Sequence, residues 1–204
     1  MSDFSIVQAV SLELRRQIVS TLETTPDNDF GIDGTLERIA LESPATTLGD
    51  SVLASLYLYH LSIDEHLRNQ RLLPDTSADD LFRRPPLPLR LRYLFTPVDD
   101  DETTNHLLIG RVAQHFHDRP GFDSLSTEPL GDSFGGAPPR ILVRLEMLEI
   151  DQLTQLWSAL ASTWRLTLPL LIETAAIDSA QPPRQVRRVT QSAAGYRLAP
   201  TRHP

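Results

Sequence analysis

Residues 140–178, RILVRLEMLEIDQLTQLWSALASTWRLTLPLLIETAAID, change hydrophobic period twice, and no other stretch constrains the fold as tightly. Ile141, Val143, Leu145 and Met147 alternate with Leu142, Arg144 and Glu146, the period of two of a half-buried strand. Asp151 then stands at an N-cap position, where a carboxylate accepts from the free N–H groups at the positive end of a helix. Leu153, Leu156, Trp157 and Leu160 follow at i, i+3, i+4 and i+7 as a single apolar stripe. From Leu166 the period of two returns, with Leu166, Leu168, Leu170 and Ile172 on one face and Arg165, Thr167 and Glu173 on the other. The pattern predicts a strand-helix-strand unit at the centre of the core. By itself it carries no chemistry.

A chain of 204 residues supports one full core, or one domain plus a tail. No run approaches the roughly 18–20 apolar residues of a membrane span, and the N-terminus lacks a charged-then-apolar signal pattern, so a cytosolic protein without membrane contact is expected. The absence of cysteine excludes disulfides and thiolate metal sites. All 19 basic residues are Arg, which removes lysine Schiff-base chemistry. Net charge is −8 but uneven. After Asp178 there are five Arg and no acid, leaving 14 Arg against 27 acids, a balance of −13, in residues 1–178. An acidic body argues against nucleic-acid binding, which needs clustered cations to neutralise phosphates. The basic tail suits either solvent or an acidic protein surface.

Taken in order, residues 5–22 read as an amphipathic helix, with Val7, Val10, Leu14 and Ile18 on one side and Glu13, Arg15, Arg16 and Gln17 on the other. Thr24, Thr25 and Pro26 stop it. Residues 32–45 suit a short helix or a short strand. Residues 52–63 alternate, with Leu53, Tyr57, Tyr59 and Leu61 facing one way and Leu56 and Leu58 the other, which predicts a central strand. Residues 66–86 read as a connecting loop. Leu87, Leu89, Leu91, Tyr93 and Phe95 form the next strand. Thr103 or Thr104 is placed to cap a helix that runs to about His117 and carries Leu108, Val112 and Phe116 on one face. Residues 122–139 make a Gly/Pro/Ser-rich loop, long enough to be functional or disordered.

The candidate chemistry is thin. His115, His117 and Asp118 are the only ligand-like cluster, yet i and i+2 on a helix point about 200° apart, so the two imidazoles cannot share one metal and read as surface histidines. Asp99, Asp100, Asp101 and Glu102 lack calcium-loop spacing and read as a solvated turn. GDSFGG at 131–136 has neither the Lys-Ser/Thr pair nor a preceding strand of a phosphate loop. There is no nucleophile elbow and no spacing that implies a triad. Trp157 and Trp164 read as core and interface aromatics. Catalytic, cofactor-binding and metal residues are therefore none, and no enzyme is expected.

The blocks LYLYHL (56–61), LRLRYLFTP (89–97), HLLIGRVAQHFHDRP (106–120) and LTQLWSALASTWRLTLPLLIETAAID (153–178) together resemble one family. It is that of the cap, or tail-terminator, proteins of extracellular contractile injection systems of the antifeeding-prophage type. Leu153, Leu156, Trp157 and Leu160 carry the core signature. The resemblance implies a single α/β (α+β) domain similar to phage tail terminators over residues 1–178, with a mixed β-sheet flanked by helices. Residues 179–204 would add a basic, Pro-containing C-terminal tail or strand. It implies a homohexameric ring on the last layer of inner tube protein that ends tube polymerisation and anchors the sheath protein, assembled in the cytoplasm into a phage tail-like particle. Such a role needs matched surfaces, not a catalytic pocket. Arg184, Val186, Arg187, Arg188 and Val189 are the partner-contact residues, suited to adding a strand to a sheath subunit. Pro169 suggests that its strand lies at an edge or carries a bulge. Alternatives are a terminator or connector of a contractile phage or prophage, and a small-molecule or metal-binding hydrolytic domain using the acidic turn with His115 and His117.

Overall fold

The computed structural model describes residues 4–65, 67, 70–75, 80–125, 128–129 and 140–185. A six-stranded mixed sheet organises it, in the order β1 (Ile39–Ala40), β2 (Ala54–Ile63), β5 (Leu87–Pro97), β10 (Leu168–Ile177), β9 (Ile141–Leu145) and β6 (Gly121–Phe122). Only β1 and β2 run parallel; every other pair in this sheet is antiparallel. Two long helices, α1 (Ile6–Glu23) and α2 (Glu102–Asp118), cover one face. Along β5 the residues Leu89, Leu91, Tyr93 and Phe95 alternate into that core, meeting Val143 of β9 and Leu170 and Ile172 of β10. The Tyr93 hydroxyl, deep beneath α1, lies 2.7 Å from Ser11 Oγ, and burial, opposed by that hydrogen bond, pushes its pKa up to about 12. α1 adds Val10, Leu14, Ile18 and Leu22 to the core, and α2 adds Leu108, Val112 and Phe116, the stripes that their 3.6-residue period predicts.

The strand-helix-strand pattern is present, in a different arrangement from the one its periodicity suggests. β9 and β10 are adjacent and antiparallel, so the segment is a hairpin whose connection carries the helix α3 (Ile150–Ala159). β9 ends at Leu145 and leaves Met147 91% exposed; β10 begins at Leu168 and leaves Leu166 exposed. Glu149, not Asp151, is the N-cap of α3, in a capping box with Gln152. β10 lies between β5 and β9, which overturns the edge position inferred from Pro169. The proline sits at the second residue of the strand, before the β9 pairing starts at Leu170, and the bulge falls later, between Ile172 and Ala175.

Other elements depart from the sequence pattern for identifiable reasons. A bulge between Leu58 and His60 inverts the phase of β2, so Leu61 and Ile63 lie opposite Leu91 and Leu89, on the helix-covered side. Residues 66–86 hold two short strands, β3 (Leu73–Pro74) and β4 (Leu81–Arg83), which form a three-stranded sheet with β11 (Arg184–Gln185). The 122–139 segment contains β7 (Ser124–Leu125) and β8 (Glu128–Pro129), a small hairpin; residues 130–139 lie outside the described ones. Asp101 caps α2 in place of Thr103 or Thr104, accepting from both their N–H groups.

Candidate assembly interface

α3 is the least integrated element. It does not pack broadly against any other described helix or strand, and of its apolar stripe only Trp157 is buried, while Leu153, Leu156 and Leu160 are half-buried. Trp157 stands outside the main core cluster. The signature stripe is therefore a shoulder of the molecule, displayed where β9 hands over to β10, and not its centre. The segments on either side add exposed apolar groups: Met147, Ile150 at 67% exposure, Trp164 at 49%, and Leu166. Monomeric proteins rarely gather so many large apolar side chains in solvent over one short segment.

The end of α3 is built to hold its shape. Ala161 N–H donates to the Ser158 carbonyl at 3.1 Å and Ser162 N–H to the Trp157 carbonyl at 3.3 Å, the paired bonds of a Schellman motif. Ala161 occupies its left-handed position at φ +52°, where glycine is usual. The chain then turns back past Trp164, and Trp157, Trp164, Thr154, Ser158 and Ser162 line a cleft of about 460 Å³. The Trp157 indole N–H is buried in this region and meets no acceptor among the described residues. Buried donors are normally satisfied, so this one marks either a strained site or an incomplete one.

On the opposite flank of the sheet β2 is a partly open edge. β1 pairs with it only at Ala54 and Ser55, and among the described residues no strand pairs with the outer side from Leu56 to Ile63. Leu61 is 47% exposed there, and Ile63 and Leu87 are also exposed. Such an edge offers unpaired backbone N–H and carbonyl groups to another chain.

The sheet face away from α1 and α2 carries ion pairs running across its strands. Arg90 Nε reaches Asp64 at 3.1 Å, Arg144 Nε reaches Glu173 at 2.7 Å, and Arg92 Nε donates to both Glu146 oxygens at 2.9 and 3.1 Å. Burial, helped by Glu146 and opposed by Arg92, pushes the Tyr59 hydroxyl up to about 12, so it stays neutral beside this network.

The remaining candidates are structural. His115 is not a surface histidine: its Nδ1 lies 2.8 Å from Thr21 Oγ1 and its Nε2 3.4 Å from Gln17 Oε1, in the seam between α1 and α2, while His117 is exposed on another side. Burial first, then Arg119 and Arg111, lower the His115 pKa, with Asp118 opposing. Glu13, expected on the solvent side of α1, is buried in the same seam with Arg16 and Gln17 bound to its carboxylate. In the acidic turn, Asp99 Oδ1 accepts from Asp101 N–H while Asp101 caps α2, so both carboxylates are engaged by the backbone. No group of three or more His, Asp or Glu is placed to hold a metal among the described residues, and no described helix is long and apolar enough to cross a membrane. Arg184 is exposed and pairs with Phe82 in β11; Val186, Arg187, Arg188 and Val189 lie outside the described residues.

Sequence patterning found Trp157 and the stripe but missed the cleft, Met147 and Ile150. The available signal was an apolar excess that continues past both ends of the stripe, from Met147 to Leu166.

This sheet, with two helices on one face and a helix-bearing hairpin at its flank, has the fold of a sheath/tube terminator. The structure matches the terminator of the PVC extracellular contractile injection system in its extended state, with a TM-score of 0.51, 14% identity, and coverage of 94% of this chain and 65% of that one. The antifeeding-prophage tube-terminating cap is also similar, with a TM-score of 0.47 at 15% identity, over 77% of this chain and 55% of that one. The chain belongs to the family of the Pvc16 N-terminal domain, whose model matches residues 7–191. It spans less than two-thirds of the length of either matched structure. No curated protein sequence matches it.

Proposed function

We propose that this chain is the structural cap of a contractile injection system: a homohexameric ring on the last tube layer that ends tube polymerisation and anchors the sheath. The observation that carries the reading is the family match across residues 7–191, which includes both flanks of the sheet. The surfaces agree with it, because exposed apolar groups gather on either side of α3 (Met147, Ile150, Trp164 and Leu166) and on the β2 edge (Leu61 and Ile63). The protein acts by shape and surface complementarity, with no catalytic step. It assembles in the cytoplasm as part of a phage tail-like particle, with the inner tube protein and the sheath protein as its partners.

Within this reading residues 1–178 are the ring-forming body and residues 179–204 the arm that reaches the sheath, with Arg184, Val186, Arg187, Arg188 and Val189 as its contacts. Arg184 and Gln185 pair with β4 in their own chain. Particles produced without the chain should have tubes of uncontrolled length in electron micrographs, restored to one length by the full chain. A variant ending at Gln185 should restore tube length but leave sheaths that detach. Tubes of normal length without the chain would refute the terminator role; firmly attached sheaths on the truncated variant would refute the role of the arm.

A further inference from the structure

We propose that neighbouring copies join head to tail, with the Trp157–Trp164 cleft of one copy receiving the open β2 edge of the next; the inference rests on the ring reading above. The cleft supplies half of a contact. Trp157 is 2% exposed, its N–H is buried with no acceptor among the described residues, and the cleft is bounded by the half-exposed Trp164. A surface of this chemistry takes an extended, apolar polypeptide segment that brings carbonyl oxygens. The β2 edge is such a segment, with no strand among the described residues paired to its outer side beyond Ser55 and with Leu61 and Ile63 exposed.

Among the described residues no part of Leu56–Ile63 lines the cleft, and β5 and β10 lie between β2 and β9, three strand spacings or about 14 Å. A second copy is the occupant because the same chain carries both surfaces. A contact between two different patches of one protein is heterologous, and its repetition closes into a ring when the rotation per step allows. The Trp157 N–H is out of reach of water in the free chain, so docking also requires the cleft to open. The loop from Ala161 to Trp164, which forms part of its lining, is the segment that must shift.

The test uses the full chain and native mass spectrometry at high protein concentration, with two variants at exposed positions, Trp164→Asp and Leu61→Glu. The wild-type chain should form closed rings, and each variant alone should be monomeric, with association weakened at least about tenfold. Mixing the two should give a one-to-one dimer and nothing larger, because the mixture holds one intact cleft and one intact edge that can meet. If the wild type forms rings and the variants still do, the surfaces are wrong while the ring stands. If the wild type stays monomeric at every concentration, both the surfaces and the ring are refuted. Should either variant lose its native circular dichroism, Ser162→Cys with Ser62→Cys replaces it. In a chain with no native cysteine, oxidation should yield a covalent ladder of multiples, and its absence from wild-type-like rings refutes the contact.

Discussion

Replacing Trp157 by Phe should leave the free chain within about 1 kcal/mol of wild-type stability, an unusual result for a buried tryptophan. The smaller ring loses apolar burial and leaves a void, which costs about 1–2 kcal/mol. Against this, the indole N–H is buried with no acceptor among the described residues, and removing an unmet buried donor recovers about 1–3 kcal/mol. The two changes offset each other. Had the N–H been bonded inside the chain, the void would be joined by an acceptor left unpaired, and the total loss would be about 2–5 kcal/mol. Urea unfolding followed by circular dichroism, at a concentration where the wild type is monomeric, separates these cases. A loss above about 2 kcal/mol refutes the unmet donor and removes the chemical basis of the cleft. The same variant at ring-forming concentration should assemble poorly despite its unchanged stability, because the donor finds its acceptor only there.

Three further outcomes follow from local geometry. Ala161→Gly should raise stability by about 1 kcal/mol in thermal unfolding, because Ala161 holds φ at +52° in the Schellman turn; a decrease would mean that its methyl group is a packing contact. Gly121→Ala should destabilise by at least about 2 kcal/mol, since at φ +150° an added Cβ would lie 2.2 Å from the Ile141 carbonyl oxygen and force β6 off β9; near-neutrality would show that this edge pairing contributes little. His115 should make the fold acid-sensitive. Its pKa is lowered in the folded chain, so the unfolded chain binds the proton more readily. The stability it contributes is complete above its ordinary value of 6.5 and is lost as pH falls below that. His115→Gln should flatten melting temperature against pH between about pH 7 and pH 5, and an unaltered slope would place the acid sensitivity elsewhere.

The elements were legible because each runs long enough for its period to show. α1, α2, β2 and β5 all declare themselves through residues such as Leu14, Val112 and Phe95. Periodicity reports which residues share a face, however, and not what covers that face. Glu13 has the spacing of a solvent-facing residue and is buried because α2 lies against that side of α1. The inversion at Tyr59 depends on a bulge, for which one extra residue leaves no compositional trace. Two strands flanking a helix look alike whether they pair in parallel or, as β9 and β10 do, as a hairpin, so the position of Pro169 in the sheet could not be read from the chain. The shoulder stayed hidden for a related reason. Leu153, Leu156 and Leu160 have the spacing of core residues, and the weak packing of α3 is a tertiary property. The family was legible from the resemblance, and its model matches residues 7–191. The exposed groups beside α3 and on the β2 edge could be placed only with the sheet order in hand.

The copy number of this chain in assembled particles tests the central claim most directly. A terminator is present as one ring, whereas a tube or sheath protein repeats in every layer. Quantitative mass spectrometry of purified particles against isotope-labelled standards should therefore find one hexamer's worth per particle, unchanged when longer particles are selected. A copy number that rises in proportion to particle length would contradict the account.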